Sequence, residues 1–176
     1  MELQRRPRIG VMGSSLCPPH LSELAYGVGR GIARRGGILI CGGGSGVMEA
    51  AARGAREAGG FTVGILPGAA ASEANAYIDL PIVTDLGNAR NVINVLTSQA
   101  IIAIGGASGT LSEIALALKC GTPVVGLHTW GLTPPAGERP PEIHTAQTPE
   151  EAVELAFRLA GDSRPGRGSG TEAHAK

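Results

Sequence analysis

Two glycine-rich turns constrain this 176-residue chain more than any other feature. Ile38-Leu39-Ile40-Cys41 runs into Gly42-Gly43-Gly44-Ser45-Gly46, and Ala100-Ile101-Ile102-Ala103-Ile104 runs into Gly105-Gly106-Ala107-Ser108-Gly109. Each apolar run has the length of a buried strand, and each turn opens into a run with helical spacing. A chain punctuated in this way folds as strand, tight turn and helix, and such units assemble into a parallel sheet covered by helices.

The rest of the sequence supplies the partners. Arg8 to Met12 is an apolar strand ended by Gly13-Ser14-Ser15. Beyond Pro18-Pro19, a helical face carries Leu21, Leu24, Ala25, Val28 and Ile32, and Gly27, Gly29 and Gly31 on that helix imply tight packing on the sheet. Val47 to Ala58 is a second helix and Thr62 to Leu66 a strand. The small-residue loop Pro67 to Ala76 leads to a short strand at Ile82 to Thr84. Ala89 to Ser98 reads as a helix capped by Asn88, with Ala89, Val92, Ile93 and Leu96 facing inward. Ala100 to Ile104, apolar at every position, reads as a central strand. A helix from Thr110 presents Leu111, Ile114, Ala115 and Leu118, and Pro123 to Leu127 is the last strand. A proline-rich connection through Pro134, Pro135, Pro140 and Pro141 precedes a final helix from Pro149 to about Ala160.

The fold class is therefore α/β: a Rossmann-like open parallel sheet with helices on both faces, in a single ligand-binding domain over residues 1–160. Residues 161–176 lack a periodic apolar face and are expected to form a disordered tail.

The 15 basic and 15 acidic residues cancel, so no bulk field draws the chain to nucleic acid or to an anionic membrane, and neither partner is expected. Cys17, Cys41 and Cys120 have no paired spacing, which suits a reducing cytoplasm. His20, His128, His144 and His174 form no spaced set, so no metal is expected.

A strand that ends in glycines and enters a helix aims unpaired N–H groups and the positive end of the helix dipole at one point, where an anion fits. The expected binding residues are Gly42, Gly43, Gly44, Ser45 and Gly46 in the first turn and Gly105, Gly106, Ala107, Ser108, Gly109 and Thr110 in the second. Gly13 and Ser14 contribute from the first strand end. Neither turn spells G-x-G-x-x-G, and neither carries a P-loop lysine, so a full dinucleotide or triphosphate site is disfavoured. The ligand is expected to be a small phosphorylated molecule.

Two charged residues stand out. Arg90 opens a helix whose second face carries Asn91, Asn94, Thr97 and Ser98, uncharged polar groups that fit a ligand pocket or a dimer interface better than bulk water. Glu113 completes Thr110-Leu111-Ser112-Glu113, a capping-box pattern that also occurs at Thr148-Pro149-Glu150-Glu151. It therefore either satisfies the helix start or serves, with Arg90, as a catalytic pair.

At these residues the chain resembles the lonely-guy superfamily, often labelled lysine-decarboxylase-like. Hydrolases of that family carry P-G-G-x-G-T-x-x-E below an Arg-Lys pair. Here Gly105 to Glu113 occupies the motif and Arg90-Asn91 the pair, with Gly105 for proline, Ala107 for glycine and Asn91 for lysine. Those departures, with Gly10-Val11-Met12-Gly13, Gly46-Val47-Met48, Leu66-Pro67-Gly68 and Pro81-Ile82-Val83-Thr84, make the molybdenum-cofactor carrier subgroup more similar.

The resemblance implies a carrier or sensor of a phosphorylated heterocycle, either molybdenum cofactor or an AMP-like nucleotide, with no cofactor required for chemistry. The alternative is a nucleoside 5'-monophosphate phosphoribohydrolase using Arg90 and Glu113. A homodimer or higher homo-oligomer is expected. The decarboxylase label finds no support, because the only lysines, Lys119 and Lys176, fall in a helix and a tail, with none placed for a pyridoxal-phosphate Schiff base.

Overall fold

The computed structural model describes residues 3–162; the expected tail lies almost wholly outside them. Seven strands form one parallel sheet: β1 Arg8–Gly13, β2 Ile38–Cys41, β3 Phe61–Leu66, β4 Leu80–Val83, β5 Ala100–Ile104, β6 Val124–Leu127 and β7 Ile143–Ala146. Their order is β4-β3-β2-β1-β5-β6-β7. The helices are α1 Pro19–Arg34, α2 Val47–Glu57, α3 Asn91–Thr97, α4 Ser108–Cys120 and α5 Pro149–Asp162. The Rossmann-like α/β architecture stands as read.

Alternation along β1 and β5 sorts the core into two layers, because successive strand side chains point to opposite faces. Ile9, Val11, Ala100, Ile102 and Ile104 pack with residues of α1, α2 and α5 such as Val28, Ala51 and Val153. Met12, Ile101 and Ala103 pack on the other face with Val95 of α3 and Ile114 and Ala117 of α4. The order of the sheet reverses between β1 and β5, whose register runs from Ile9↔Ala100 to Gly13↔Ile104. At such a reversal the connections leave in opposite directions and a crevice opens beyond the carboxyl ends of the strands.

Several local expectations change. The glycines of α1 serve helix–helix contact rather than the sheet: a Cβ on Gly29 would collide with Ala51 O of α2, and one on Gly54 of α2 with Tyr26 O of α1. The proline-rich connection contains β7, which pairs with β6 from Val124↔Ile143 to Leu127↔Ala146. A four-residue edge strand just after Pro140-Pro141 has too little apolar pattern to be seen in sequence.

Residues Gly87–Arg90 form a 3-10 turn, and no Asn88 side-chain cap precedes α3. Helix α3 itself is turned about its axis: Asn91, Asn94, Val95 and Ser98 are buried, while Leu96 is 43% exposed. Helix α4 begins at Ser108, two residues early, and buries Thr110, Glu113, Ile114 and Ala117. Among the described residues no helix is long and apolar enough to cross a membrane.

Candidate functional site

The crevice at the carboxyl edge is a cavity of about 360 Å³, within the range of small-molecule sites. Of the expected residues, Gly13, Ser14, Gly42, Gly44 and Ser45 line it from one side, and Ala107, Gly109 and Thr110 from the other, with Arg90 and Glu113 between. Gly43, Gly46, Gly105, Gly106 and Ser108 shape the turns but do not line the cavity.

In the first turn, Val47 N, the first amide of α2, donates to Ser14 O at 3.0 Å, and Ser45 Oγ donates to Ser15 O at 3.4 Å. Gly46 makes this approach possible, since its φ is +67° and a Cβ would strike the carbonyls of Ser14 and Ser15. Asn75 of the loop after β3 holds the opposite side: its Nδ2 donates to Gly43 O at 3.1 Å and Gly44 O at 2.7 Å. In a trans peptide C=O and N–H point oppositely, so the amides of Gly44 and Ser45 are turned away from Asn75.

The second turn is open. Gly105 N bonds Leu127 O at 3.3 Å and Thr129 Oγ1 bonds Gly105 O, which anchor its start. Beyond that point Gly106 N, Ala107 N, Ser108 N, Gly109 N and Thr110 N have no acceptor among the described residues. Among the described residues no side chain caps α4, and Thr110 Oγ1 is buried without a hydrogen-bond partner. This cluster of donors stands at the start of a 13-residue helix, an arrangement that can accept an anion.

Glu113 does not cap α4. Its Oε1 accepts from Asn94 Nδ2 at 2.9 Å and from Arg90 Nη1 at 3.5 Å. Burial raises the Glu113 pKa above the ordinary carboxylate value, with the Asn94 hydrogen bond and the Arg90 charge opposing. Arg90 also donates from Nη1 to Asn91 Oδ1 at 3.0 Å, and its guanidinium lies over Gly42, where a Cβ would fall 2.6 Å from Nη2. Asn91, at the family's lysine position, donates to Ser112 Oγ at 2.8 Å, which donates to Gly109 O at 2.7 Å.

The polar face of α3 thus packs inward against α4, and of the two readings left by its composition the pocket is the one it joins. Buried side-chain atoms without partners among the described residues are Arg90 Nε, Asn94 Oδ1 and Thr110 Oγ1, all at this site. Such orphaned groups are costly unless a ligand or water meets them.

Sequence reasoning missed Met48, Glu73 and Asn88, which also line the cavity. Met48 is the second residue of α2 and Glu73 stands in the loop after Leu66-Pro67-Gly68; their positions relative to a strand end were the only available signal. Among the described residues no three His, Cys, Asp or Glu side chains cluster as metal ligands. Lys119 is exposed near the far end of α4, away from the cavity.

A model of the SLOG cluster4 family, LDcluster4, matches residues 6–154. A solved molybdenum cofactor binding protein from Rippkaea orientalis superposes with a TM-score of 0.78 at 39% identity, over 88% of this chain and 98% of that one. The molybdenum cofactor carrier protein of Chlamydomonas reinhardtii gives 0.75 at 40% identity, over 89% and 99%. A cytokinin riboside 5'-monophosphate phosphoribohydrolase of Mycobacterium tuberculosis is 39% identical over 125 residues, 65% of this chain and 67% of the relative.

Proposed function

The chain belongs to the SLOG cluster4 family, and from that premise we propose that it is a cytoplasmic binding protein for a small phosphorylated heterocycle, a carrier or sensor. The observation that carries this reading is the open start of α4, where five amides and the buried Thr110 hydroxyl await acceptors beside a cavity. A phosphate brings several acceptor oxygens and negative charge to that point. Arg90 lies between the two turns and supplies the cationic side chain. Asn91 removes a second cation, which leaves one arginine lining the cavity with the carboxylates of Glu113 and Glu73. The neighbours that bind or carry molybdenum cofactor support the same ligand class, with the cofactor as cargo.

Isothermal titration with AMP, GMP, inorganic phosphate and molybdenum cofactor tests the reading. Micromolar binding of at least one phosphorylated heterocycle, lost on Thr110→Val with Arg90→Ala, is the expected result; silence from all of them at millimolar concentration ends it.

A second reading has its own support in the buried Glu113 with its raised pKa and in the phosphoribohydrolase relative. A carboxyl group whose proton affinity is shifted toward neutrality suits acid–base assistance of N-glycosidic cleavage. Release of adenine from AMP by the wild type, abolished in Glu113→Gln, would replace the carrier by a hydrolase.

The same reading includes self-association. Val63 and Ile65 pack with Ile93 beneath α3, and their register partners Leu80 and Ile82 on β4 continue that face into solvent, 46% and 38% exposed. Leu80 and Ile82, and Leu96 exposed on α3, are apolar groups suited to cover by a second copy. Sedimentation of a dimer or larger species, reduced to monomer by Ile82→Lys with Leu96→Lys, is the expected result.

A further inference from the structure

The cavity has two chemically distinct ends. At the end of β5 stand the donors of Ala107, Gly109 and Thr110. Across β1 and β2, three inter-strand steps or about 14 Å away, lies the end of β3. There Met48, Leu66 and Pro67 offer apolar walls, and one carboxylate, Glu73, stands among them. An anion at the β5 end leaves the rest of an extended phosphorylated molecule to reach toward β3.

Glu73 is held rather than loose. Its Oε1 accepts from Ala70 N at 3.2 Å, and neither an ion pair nor a hydrogen bond to Oε2 occurs among the described residues. The carboxylate lies over Gly68, where a Cβ would displace it. Gly68 in turn is fixed by Asp85 N to Gly68 O at 3.0 Å, and Pro67 by Gly87 N to Pro67 O at 2.9 Å. Two residues beyond Glu73, Asn75 clamps the loop to the first turn. Both flanks are tied, so the free oxygen is presented with little ordering cost on binding.

We propose that Glu73 is the specificity-determining residue of this site. It selects a phosphorylated ring whose edge offers a ring N–H beside an exocyclic amino group, the 2-amino-4-oxopyrimidine edge shared by guanine and pterins, over adenine. The inference rests on the phosphorylated-heterocycle reading above. An ionised carboxylate only accepts hydrogen bonds, and that edge donates two in parallel, a bidentate charge-assisted pair. Adenine sets the acceptor N1 beside its amino donor, so one carboxylate oxygen would face a lone pair. Glu73 also repels phosphate, which orients the ligand with its anion at α4.

The experiment is titration of the full chain with GMP, a pterin monophosphate, AMP and inorganic phosphate, in the wild type and in Glu73→Gln. The glutamine keeps an acceptor for Ala70 N and offers one donor beside one acceptor, the complement of adenine. The wild type is expected to bind GMP or the pterin monophosphate at least about tenfold more tightly than AMP. The variant is expected to lose that preference and gain affinity for AMP, with phosphate affinity not reduced. Comparing GMP with the pterin monophosphate identifies the source of the ring. Equal binding of AMP and GMP, unchanged in the variant, overturns the role of Glu73 and leaves the phosphorylated-heterocycle reading standing. Absence of binding by every probe overturns both.

Discussion

In the turn after β2, Val47 N is taken by Ser14 O at 3.0 Å and two glycine carbonyls are taken by Asn75. In the turn after β5, the amides of Ser108, Gly109 and Thr110 have no acceptor among the described residues. The two turns share glycine content and their place between a central strand and a helix, and both keep amides without an acceptor among the described residues (Gly44, Ser45 and Gly46 in the first), yet the first is tied along its length by Ser14, Ser15 and Asn75 and the second only at its start. Cys41, which ends β2, belongs to the closed side: burial pushes its thiol pKa up to about 11, and it accepts from Gly43 N at 3.4 Å. Gly46 in the first turn admits the backbone of Ser14 and Ser15, whereas at Gly109 in the second a Cβ would meet nothing within 4 Å. Substitution in the first turn should therefore act on stability and in the second on binding.

The largest effect should come from Gly109→Asp. A Cβ at Gly109 meets nothing within 4 Å, and a carboxylate in the first turn of α4 suits the helix dipole, so the fold should hold while the anion is displaced. Phosphorylated ligands should bind about 100-fold or more weakly by titration, with Tm unchanged or raised. Gly46→Ala should do the reverse. Positive φ and the carbonyls of Ser14 and Ser15 oppose a side chain there, so chemical denaturation should show a loss of about 3 kcal/mol. A variant that stayed as stable as the wild type but lost ligand would erase the contrast between the turns.

Between these lies Thr110→Val, for which about tenfold weaker phosphate binding is expected, since only the unpartnered hydroxyl is removed. The pH dependence is subtler. Because burial raises the folded pKa of Glu113 above its unfolded value, the folded state holds that proton more tightly. Its contribution to stability is fully present below the unfolded pKa and is lost as pH rises through the folded pKa. Glu113→Gln should remove this loss, so its stability advantage over wild type should be greatest at neutral pH and vanish below the ordinary carboxylate range. A pH-independent difference would mean that Glu113 is not held in a desolvated place. The smallest effect is expected for Ser45→Ala, under twofold in affinity, because that hydroxyl makes only a 3.4 Å bond to Ser15 O.

A second pair of regions shows where sequence pattern misleads. Thr148-Pro149-Glu150-Glu151 and Thr110-Leu111-Ser112-Glu113 spell the same capping signature. At the first, Thr148 Oγ1 accepts from Glu151 N at 3.2 Å and Glu151 Oε2 from Gln147 N at 2.8 Å, a reciprocal cap. At the second, the helix has already begun at Ser108, and Glu113 turns inward to Asn94 and Arg90. Nothing local separates the two cases. The partner of Glu113 arrives from α3, across the sheet end.

Helix α3 was misread for a related reason. Its apolar positions invited an inward face, but the helix packs its amides against α4 at the cavity margin, so Asn91 and Asn94 became buried and Leu96 exposed. Periodicity assumes that the interior is oil. Where the interior is a binding site, the polar face goes in.

What the sequence determined by itself is the frame: strand runs, helix spacing and glycine turns set a parallel sheet whose carboxyl edge carries both turns, because local backbone preference and hydrophobic period already agree there. Six of the seven strands and the joint presence of Arg90 and Glu113 were legible in that way. Only the tertiary structure decided which turn is tied along its length, because Ser14 and Asn75, distant in sequence, spend their carbonyl and amide groups on the first. It likewise decided that Glu73 meets the cavity, since a loop residue acquires a position only when the chain around it is fixed by contacts from elsewhere.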